Sequence, residues 1–361
     1  MTKNRWDNGI THHDGEAREF ISTYFSQTGR RVLILASAGF DLRSTAVSRA
    51  IAQTGVTCRG IFIREERPNA DQALRARADK NAEQLKIVVP DSKVVFIDIF
   101  DPVDQAVVGA RRLTRDVLPI LAEGEPPTDI VVDASALSIG ISFPLVRLLD
   151  NLYGQKPGTP NVHLFVTEDP HQDDQVKPDH AERPMWVPGC DGDAGSDLKS
   201  KSIRLWIPQL VLYRTEALRR IHDFVDATET CPILPFPARD LRRGDVLLEH
   251  YRTLLIDTWE VDPRSYIFAA EREPLDLYRT LLRIDDARQK VYGQQGGSLM
   301  VLSPIGSKLL GLGALLAALD RDFPVAYLET VSYAAQLGAM KNLEPDDWPI
   351  VHLWLSGVPY A

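Results

Sequence analysis

The segment Ser37-Ala38-Gly39-Phe40-Asp41-Leu42-Arg43-Ser44 brings two hydroxyls, a glycine, a carboxylate and a guanidinium together in one short run. Ser303-Pro304-Ile305-Gly306-Ser307-Lys308 repeats the theme in the second half of the chain, and Ser135-Ala136-Leu137-Ser138-Ile139-Gly140 supplies serines and a glycine without a cation. Glycine lets the backbone approach a ligand closely. Free N–H groups at a helix start attract negative charge, and Arg43 or Lys308 would complete the neutralisation of an anion, most naturally a phosphate. The same residues also have a plain structural use, since a tight strand-to-helix turn needs Gly and often takes Ser as its cap. The candidate ligand-binding residues are therefore Ser37, Gly39, Asp41, Arg43, Ser44, Ser138, Gly140, Ser303, Gly306, Ser307 and Lys308. Asp41, Asp133 and Glu271 are the candidate acids, each able to act as a general base or to bind a ribose hydroxyl from the end of a strand. Asp41 beside Arg43 also reads as a local ion pair that fixes the turn, and terminal acids often cap the next helix.

Several established chemistries find no match. GSKLLGLG (306–313) places its lysine too early for a Walker loop, no GxGxxG follows the first strand, and no GxSxG elbow occurs. A dinucleotide redox cofactor and an α/β-hydrolase site are not expected, and no Ser/His/Asp triad can be assigned. His171, His180 and Cys190 share a stretch with Asp173, Asp174, Asp191 and Asp193, but their spacing fits no common zinc pattern, so no metal site is expected. His12-His13 precedes the first strand and is expected at the surface, whereas His163 and His352 lie in apolar runs and read as core or edge residues. Arg239, Arg242 and Arg243, in a Pro-rich stretch, form a possible anion clamp.

Elements that could position these residues alternate regularly. RRVLILAS (30–37), CRGIFIRE (58–65), KVVFIDIFD (93–101), TDIVVDAS (128–135) and NVHLFVTED (161–169) read as buried strands, with helical patterns over 45–55, 70–87, 103–122 and 141–152. Strands separated by helices in this way indicate right-handed βαβ units and a parallel sheet covered on both faces. After a break, strands at 203–213, 264–271, 296–304, 325–333 and 349–357 alternate with helices at 215–227, 246–259, 274–293 and 308–320. The expectation is an α/β protein of two Rossmann-like three-layer units with mainly parallel sheets: 1–170, then an acidic loop and Pro-rich connection over 171–245, then 246–361. Gly311 and Gly313 are expected to let their helix pack closely on its sheet.

Composition sets outer bounds. The 361 residues carry 41 Lys plus Arg against 50 Asp plus Glu, a formal charge of −9, with 44% hydrophobic and 25% charged residues. These are globular values and exclude a disordered or fibrous chain. The acidic balance argues against general nucleic-acid binding. Residues 168–201 hold nine of the acids against four Lys or Arg, so the rest of the chain is only mildly acidic. Three scattered cysteines, no apolar leader core near the start and no long apolar run lead us to expect a cytoplasmic protein without a membrane partner.

Two resemblances follow from these motifs. Ser37-Ala38-Gly39-Phe40-Asp41 ahead of a helix resembles the SGGxDS loop of ATP pyrophosphatases of the queuosine-synthesis type, departing from it at Ala38 and Leu42. GGSLMVLSPIGSKLLGLGALLAAL followed by PVAYLE resembles the strand–[ST]xxG[ST]K–helix–strand core of CARF domains, and the paired halves are similar to SAVED. That resemblance implies a sensor of nucleotide messengers in a prokaryotic antiviral defence system, with contacts from Ser37 to Ser44 and from Ser303 to Lys308. The leading expectation is a nucleotide or phosphorylated small-molecule binder, a sensor or scaffold component with a protein partner from the same operon, its ligand held between the two halves. The alternatives are a Mg-dependent nucleotide-processing enzyme using the same cleft, the one case in which Mg is expected as a cofactor, and a ligand-free scaffold for protein assembly.

Overall fold

The computed structural model describes residues 4–154, 156–168, 176–192, 203–335 and 348–360. The chain divides into two compact units, Gly9–Asp179 with Thr330–Ala361, and Met1–Asn8 with His180–Glu329. The units are discontinuous in sequence, so the boundaries expected at 170 and 245 do not separate them. The chain's final strand, assigned by sequence order to the second half, returns to the first sheet.

In the first unit, strands β1 (Thr11–His13), β2 (Arg31–Ser37), β3 (Thr57–Glu66), β4 (Ser92–Asp98), β5 (Asp129–Asp133) and β6 (Asn161–Thr167) join the returning strand Ile350–Ser356 in one seven-stranded sheet. Its central order is β6-β5-β2-β3-β4, and every neighbouring pair in that run is parallel. Ile350–Ser356 lies antiparallel to β6, and β1 antiparallel to Ile350–Ser356. Helices α1 (Asp14–Tyr24), α2 (Ala46–Ala52), α3 (Gln72–Val88), α4 (Gly109–Leu121) and α5 (Ile139–Tyr153) supply the crossovers and cover the faces. Val32 to Ala36 of β2 are all buried, which is why that strand reads as a continuous apolar run rather than an alternating one. Strand β1 and helix α1 were not anticipated. Strand β1 is only three residues long and has no hydrophobic pattern of its own. Helix α4 begins at Gly109 rather than near 103, because Asp101 and Asp104 bind the backbone N–H groups of Val103 and Ala106 and hold a turn there.

The second unit is wound the same way on shorter strands. Ile203–Pro208 is central, with Glu229–Thr230 and Ser298–Ser303 parallel on either side. A parallel bridge from Gln209 to Ile233 continues one side into Ile233–Pro235 and Ile267–Ala269, and a second from Leu302 to Val325 continues the other into Ala326–Tyr327. Met185–Trp186 then pairs antiparallel with Ala326–Tyr327, as Ile350–Ser356 does with β6. The expected strand over 325–333 is split, and its second part, Thr330–Ala335, belongs to the first unit. Residues 246–259 begin as the helix Arg243–Arg252 and widen into a π-helical turn over Thr253–Thr258. A Cβ on Gly313 would stand 2.5 Å from the Pro274 carbonyl oxygen, so this glycine fits its helix against the helix Pro274–Tyr292 and not, as expected, against the sheet. At Gly311 the nearest such neighbour is 3.9 Å away, so no close approach requires it. Among the described residues no helix is long and apolar enough to cross a membrane.

Candidate functional site

A doubly wound sheet opens a crevice where the chain, having built outward in one direction, crosses to build in the other, at the carboxyl ends of the strands. In the first unit that point lies between β2 and β5. The two loops singled out in the sequence, Ser37–Ser44 and Ser135–Gly140, leave these adjacent strands at that edge. In the second unit the corresponding point lies between Ile203–Pro208 and Ser298–Ser303, where the Ser303–Lys308 turn begins.

In the first unit the loop after β2 is tightly held. Asn81 of α3 donates to the carbonyls of Gly39 and Asp41 at 2.9 and 3.0 Å, and the Gly39 N–H donates to Ser37 Oγ at 3.0 Å. Asp41 caps the 3₁₀ turn Leu42–Thr45 by accepting the Arg43 N–H, and the buried Arg43 guanidinium forks onto both Asp41 oxygens at 2.6 to 3.2 Å. Arg43 thus spends two of its nitrogens on its own turn, so the expected phosphate cation is already in a bidentate pair. Arg77 of α3 also feels the Asp41 charge, while burial lowers its own pKa.

Asp133 ends β5 with 1% of its surface exposed. Its Oδ1 accepts from the Ser135 hydroxyl and from the Ser135 N–H at 3.0 Å, and Ser135 Oγ in turn accepts the Thr167 N–H at 2.7 Å from the end of β6. Asp133 Oδ2 is buried and has no hydrogen-bond partner among the described residues. Burial pushes this carboxyl up to about 7, against the opposing Ser135 hydrogen bonds; the Asp41 charge pushes in the same direction and Arg43 opposes it. Ser44 Oγ, Ser138 Oγ and Thr167 Oγ1 are likewise buried without partners among the described residues. Four unsatisfied polar atoms therefore gather on the carboxyl edge of β2, β5 and β6. Beside them, Glu65 at the end of β3 accepts the Ser138 N–H at 2.8 Å and pairs with Arg67 at 2.9 Å. Glu65 and Thr167 were missed in the sequence, and Ser135 was named only as part of its junction and not among the ligand-binding residues. Glu65 and Ser135 were visible as polar residues closing apolar strands, but nothing in the spacing linked them.

In the second unit Ser303 is spent structurally, accepting from the Trp206 indole at 2.9 Å and donating to the Ala326 carbonyl at 2.8 Å. Ser307 caps the helix Lys308–Arg321 by accepting the Leu309 N–H. Gln209, also missed, extends the central strand. It is 1% exposed, and both amide atoms lack partners among the described residues. A Cβ on Gly306 would stand 3.2 Å from its Oε1, so the glycine is what lets the turn lie on this amide. Glu271 lies beyond Ile267–Ala269 and accepts the Arg239 N–H at 2.9 Å, the role of a loop brace. It belongs to this unit, whereas Asp41 and Asp133 belong to the other.

Among the described residues no group of three or more His, Cys, Asp or Glu could share a metal ion. His171, Asp173, Asp174 and Asp193 lie outside the described residues. His12 and His13, expected to precede the first strand at the surface, form β1 and are half-buried. His163 and His352 are fully buried, as the apolar runs around them implied.

No protein-family model matches the chain, and no curated protein does. Among solved structures it is similar to a glycopeptide N-methyltransferase, MtfA, complexed with sinefungin, at 18% identity and a TM-score of 0.23. The match covers 49% of this chain and 61% of that one, so the chain spans less than two thirds of its length. It is also similar to Pseudomonas aeruginosa RhlG in a complex with NADP, at 11% identity and a TM-score of 0.23, over 82% of this chain and 91% of that one. TM-scores this low carry nothing about the site.

Proposed function

We propose that the chain binds a nucleotide or another phosphorylated small molecule at the crevice between β2 and β5. The observation that carries this reading is the gathering of unsatisfied buried atoms there, Asp133 Oδ2 with the hydroxyls of Ser44, Ser138 and Thr167. Leaving a buried polar atom unpaired costs about 1–3 kcal/mol, and a polar ligand seated at a switch point would remove several such costs together. Near neutral pH Asp133 divides its time between acceptor and donor. It can therefore accept from a sugar hydroxyl or donate to a phosphoryl oxygen. A phosphoryl group that drew Arg43 off Asp41 would gain a bidentate partner. Calorimetric titration of a nucleotide panel into the full chain tests this. Saturable binding that Asp133→Leu abolishes is expected, and no binding, or binding indifferent to Asp133→Leu, would refute it. The sensor or scaffold role, a prokaryotic defence setting and a partner from the same operon rest on the CARF and SAVED resemblance alone.

A second reading, an enzyme acting on nucleotides, is favoured by one observation. A carboxyl held near neutral pH is poised for general acid–base work. It requires turnover of a bound nucleotide, with Mg²⁺ supplied, that disappears in Asp133→Asn.

A further inference from the structure

A chain of imidazoles runs through the first unit, away from the crevice. His12 of β1 faces His352 across the ladder, their Nδ1 atoms 2.9 Å apart. His352 Nε2 lies 3.0 Å from His163 Nδ1, and His163 Nε2 lies 3.2 Å from Asp129 Oδ1 at the start of β5. His163, His352 and Asp129 have no exposed surface. Around them, α1 contributes Glu16, Phe20 and Tyr24, and β1 contributes His13; Phe25, Arg30, Thr128, Asn161, Phe165 and Trp354 also border the chain. Phe20 stacks on both His12 and His352 at 4.7 and 4.3 Å. The Tyr24 hydroxyl donates to Asp129 at 2.8 Å, so α1 is tied to the same network.

The protons in this chain can be counted. An ionised carboxylate only accepts, so His163 Nε2 must carry the hydrogen and His163 Nδ1 must be bare. His352 then donates from Nε2 and accepts at Nδ1, and His12 donates from Nδ1. Every ring points its hydrogen toward Asp129, and the one lone pair left over is His12 Nε2, at the half-buried end. A proton arriving there leaves the chain intact. A second proton on His352 or His163 sets N–H against N–H, with no acceptor for either.

We propose that this chain is an acid-released latch, which holds β1 and α1 on the sheet at neutral pH and frees them when the two inner imidazoles take up protons. Burial lowers the pKa of both His163 and His352, the second reinforced by its histidine neighbours and the first opposed by Asp129. Once released, each ring binds a proton below its ordinary pKa of about 6.5. The released state therefore holds two more protons than the latched one, and the latch weakens as pH falls below that value. Two protons give up to about a hundredfold in the opening equilibrium per pH unit.

Hydrogen exchange on the full chain between pH 7.5 and 5.5, corrected for the intrinsic rate, reads the opening directly. The expected result is that amides of Thr11–Tyr24 open up to a hundredfold more per unit below pH 6.5, while those of β2 and β3 do not follow. In His352→Phe, which keeps the stack on Phe20, the dependence falls to about tenfold. Opening of Thr11–Tyr24 that is independent of pH, or that merely tracks β2 and β3, overturns the proposal. Should His352→Phe fail to fold, the ¹⁵N shifts of the wild-type imidazoles decide the matter. Hydrogen on Nε2 of His163 and His352 and on Nδ1 of His12 supports the latch, and any other pattern overturns it.

Discussion

The two units share a winding and differ in what stands at their switch points. The β2/β5 point is ionic, with a carboxyl held near neutrality, an Asp41–Arg43 pair and a Glu65–Arg67 pair around unsatisfied hydroxyls. The point between Ile203–Pro208 and Ser298–Ser303 is built of hydroxyl and amide groups, with Lys308 at the end of its turn. Ser303 is consumed by a tryptophan and a carbonyl, and the Gln209 amide is left without partners among the described residues. Winding is set by the alternation of elements, which both units carry. Chemistry is set by single residues at strand ends, and these are free to diverge. A glycine–serine–cation turn is therefore evidence of a strand-to-helix junction in both units, and evidence of a site only where buried polar atoms are left unpaired beside it.

This contrast can be broken by experiment. The largest effect is expected at Asp133, whose folded pKa of about 7 lies above its unfolded value of 3.8. The folded state then keeps a proton that the unfolded state has lost. Its contribution to stability is fully present below pH 4, falls by up to about 1.4 kcal/mol per unit as pH rises through 7, and is level above that. Denaturant melts should show this decline in wild type relative to Asp133→Asn, and its absence would remove the ionic character assigned to the point. Next, Gly313→Ala is expected to cost about 1–3 kcal/mol, because the new methyl meets the Pro274 carbonyl oxygen at 2.5 Å and Leu277 Cβ at 2.9 Å. Gly39→Ala, whose Cβ would meet only the movable Ser37 Oγ at 2.9 Å, should cost under about 1 kcal/mol. Ser303→Ala severs two buried hydrogen bonds and should lose about 1–3 kcal/mol in thermal unfolding. The smallest effect is at Gln209. Replacement by Met removes two unpaired atoms at little change in volume, so its melting temperature should stay level or rise. A clear fall would show that the amide is bonded in the folded protein.

Much of the fold was legible because its strands are buried on both faces. Val32–Ala36 and Ile130–Val132 stand out as unbroken apolar runs, Val162–Val166 is interrupted only by His163, and the helices between them carry ordinary periodicity. The return of Ile350–Ser356 was not legible. A strand's sequence does not say which sheet accepts it, and here pairing with β6 over almost its whole length settled the matter. At the site, the turns around Gly39 and Gly306 were found because glycine and serine mark junctions. The Asp41–Arg43 pair was legible as a local ion pair that fixes the turn, and the 3₁₀ turn between the two residues is what lets the guanidinium fold back to make it. The unpaired side chains of Gln209 and Thr167 gave no signal, because unpaired burial is a property of packing. The histidine chain was equally hidden, its members lying at positions 12, 163 and 352 and meeting only across β-ladders.

The most direct test of the nucleotide reading is a titration of the ¹⁵N-labelled full chain with a panel of nucleotides, followed through its backbone amides. The account predicts saturable shifts at Gly39–Ser44 and Ser135–Gly140 that are lost in Asp133→Leu. Shifts confined to the Ser303–Lys308 turn, or none with any nucleotide, would contradict it.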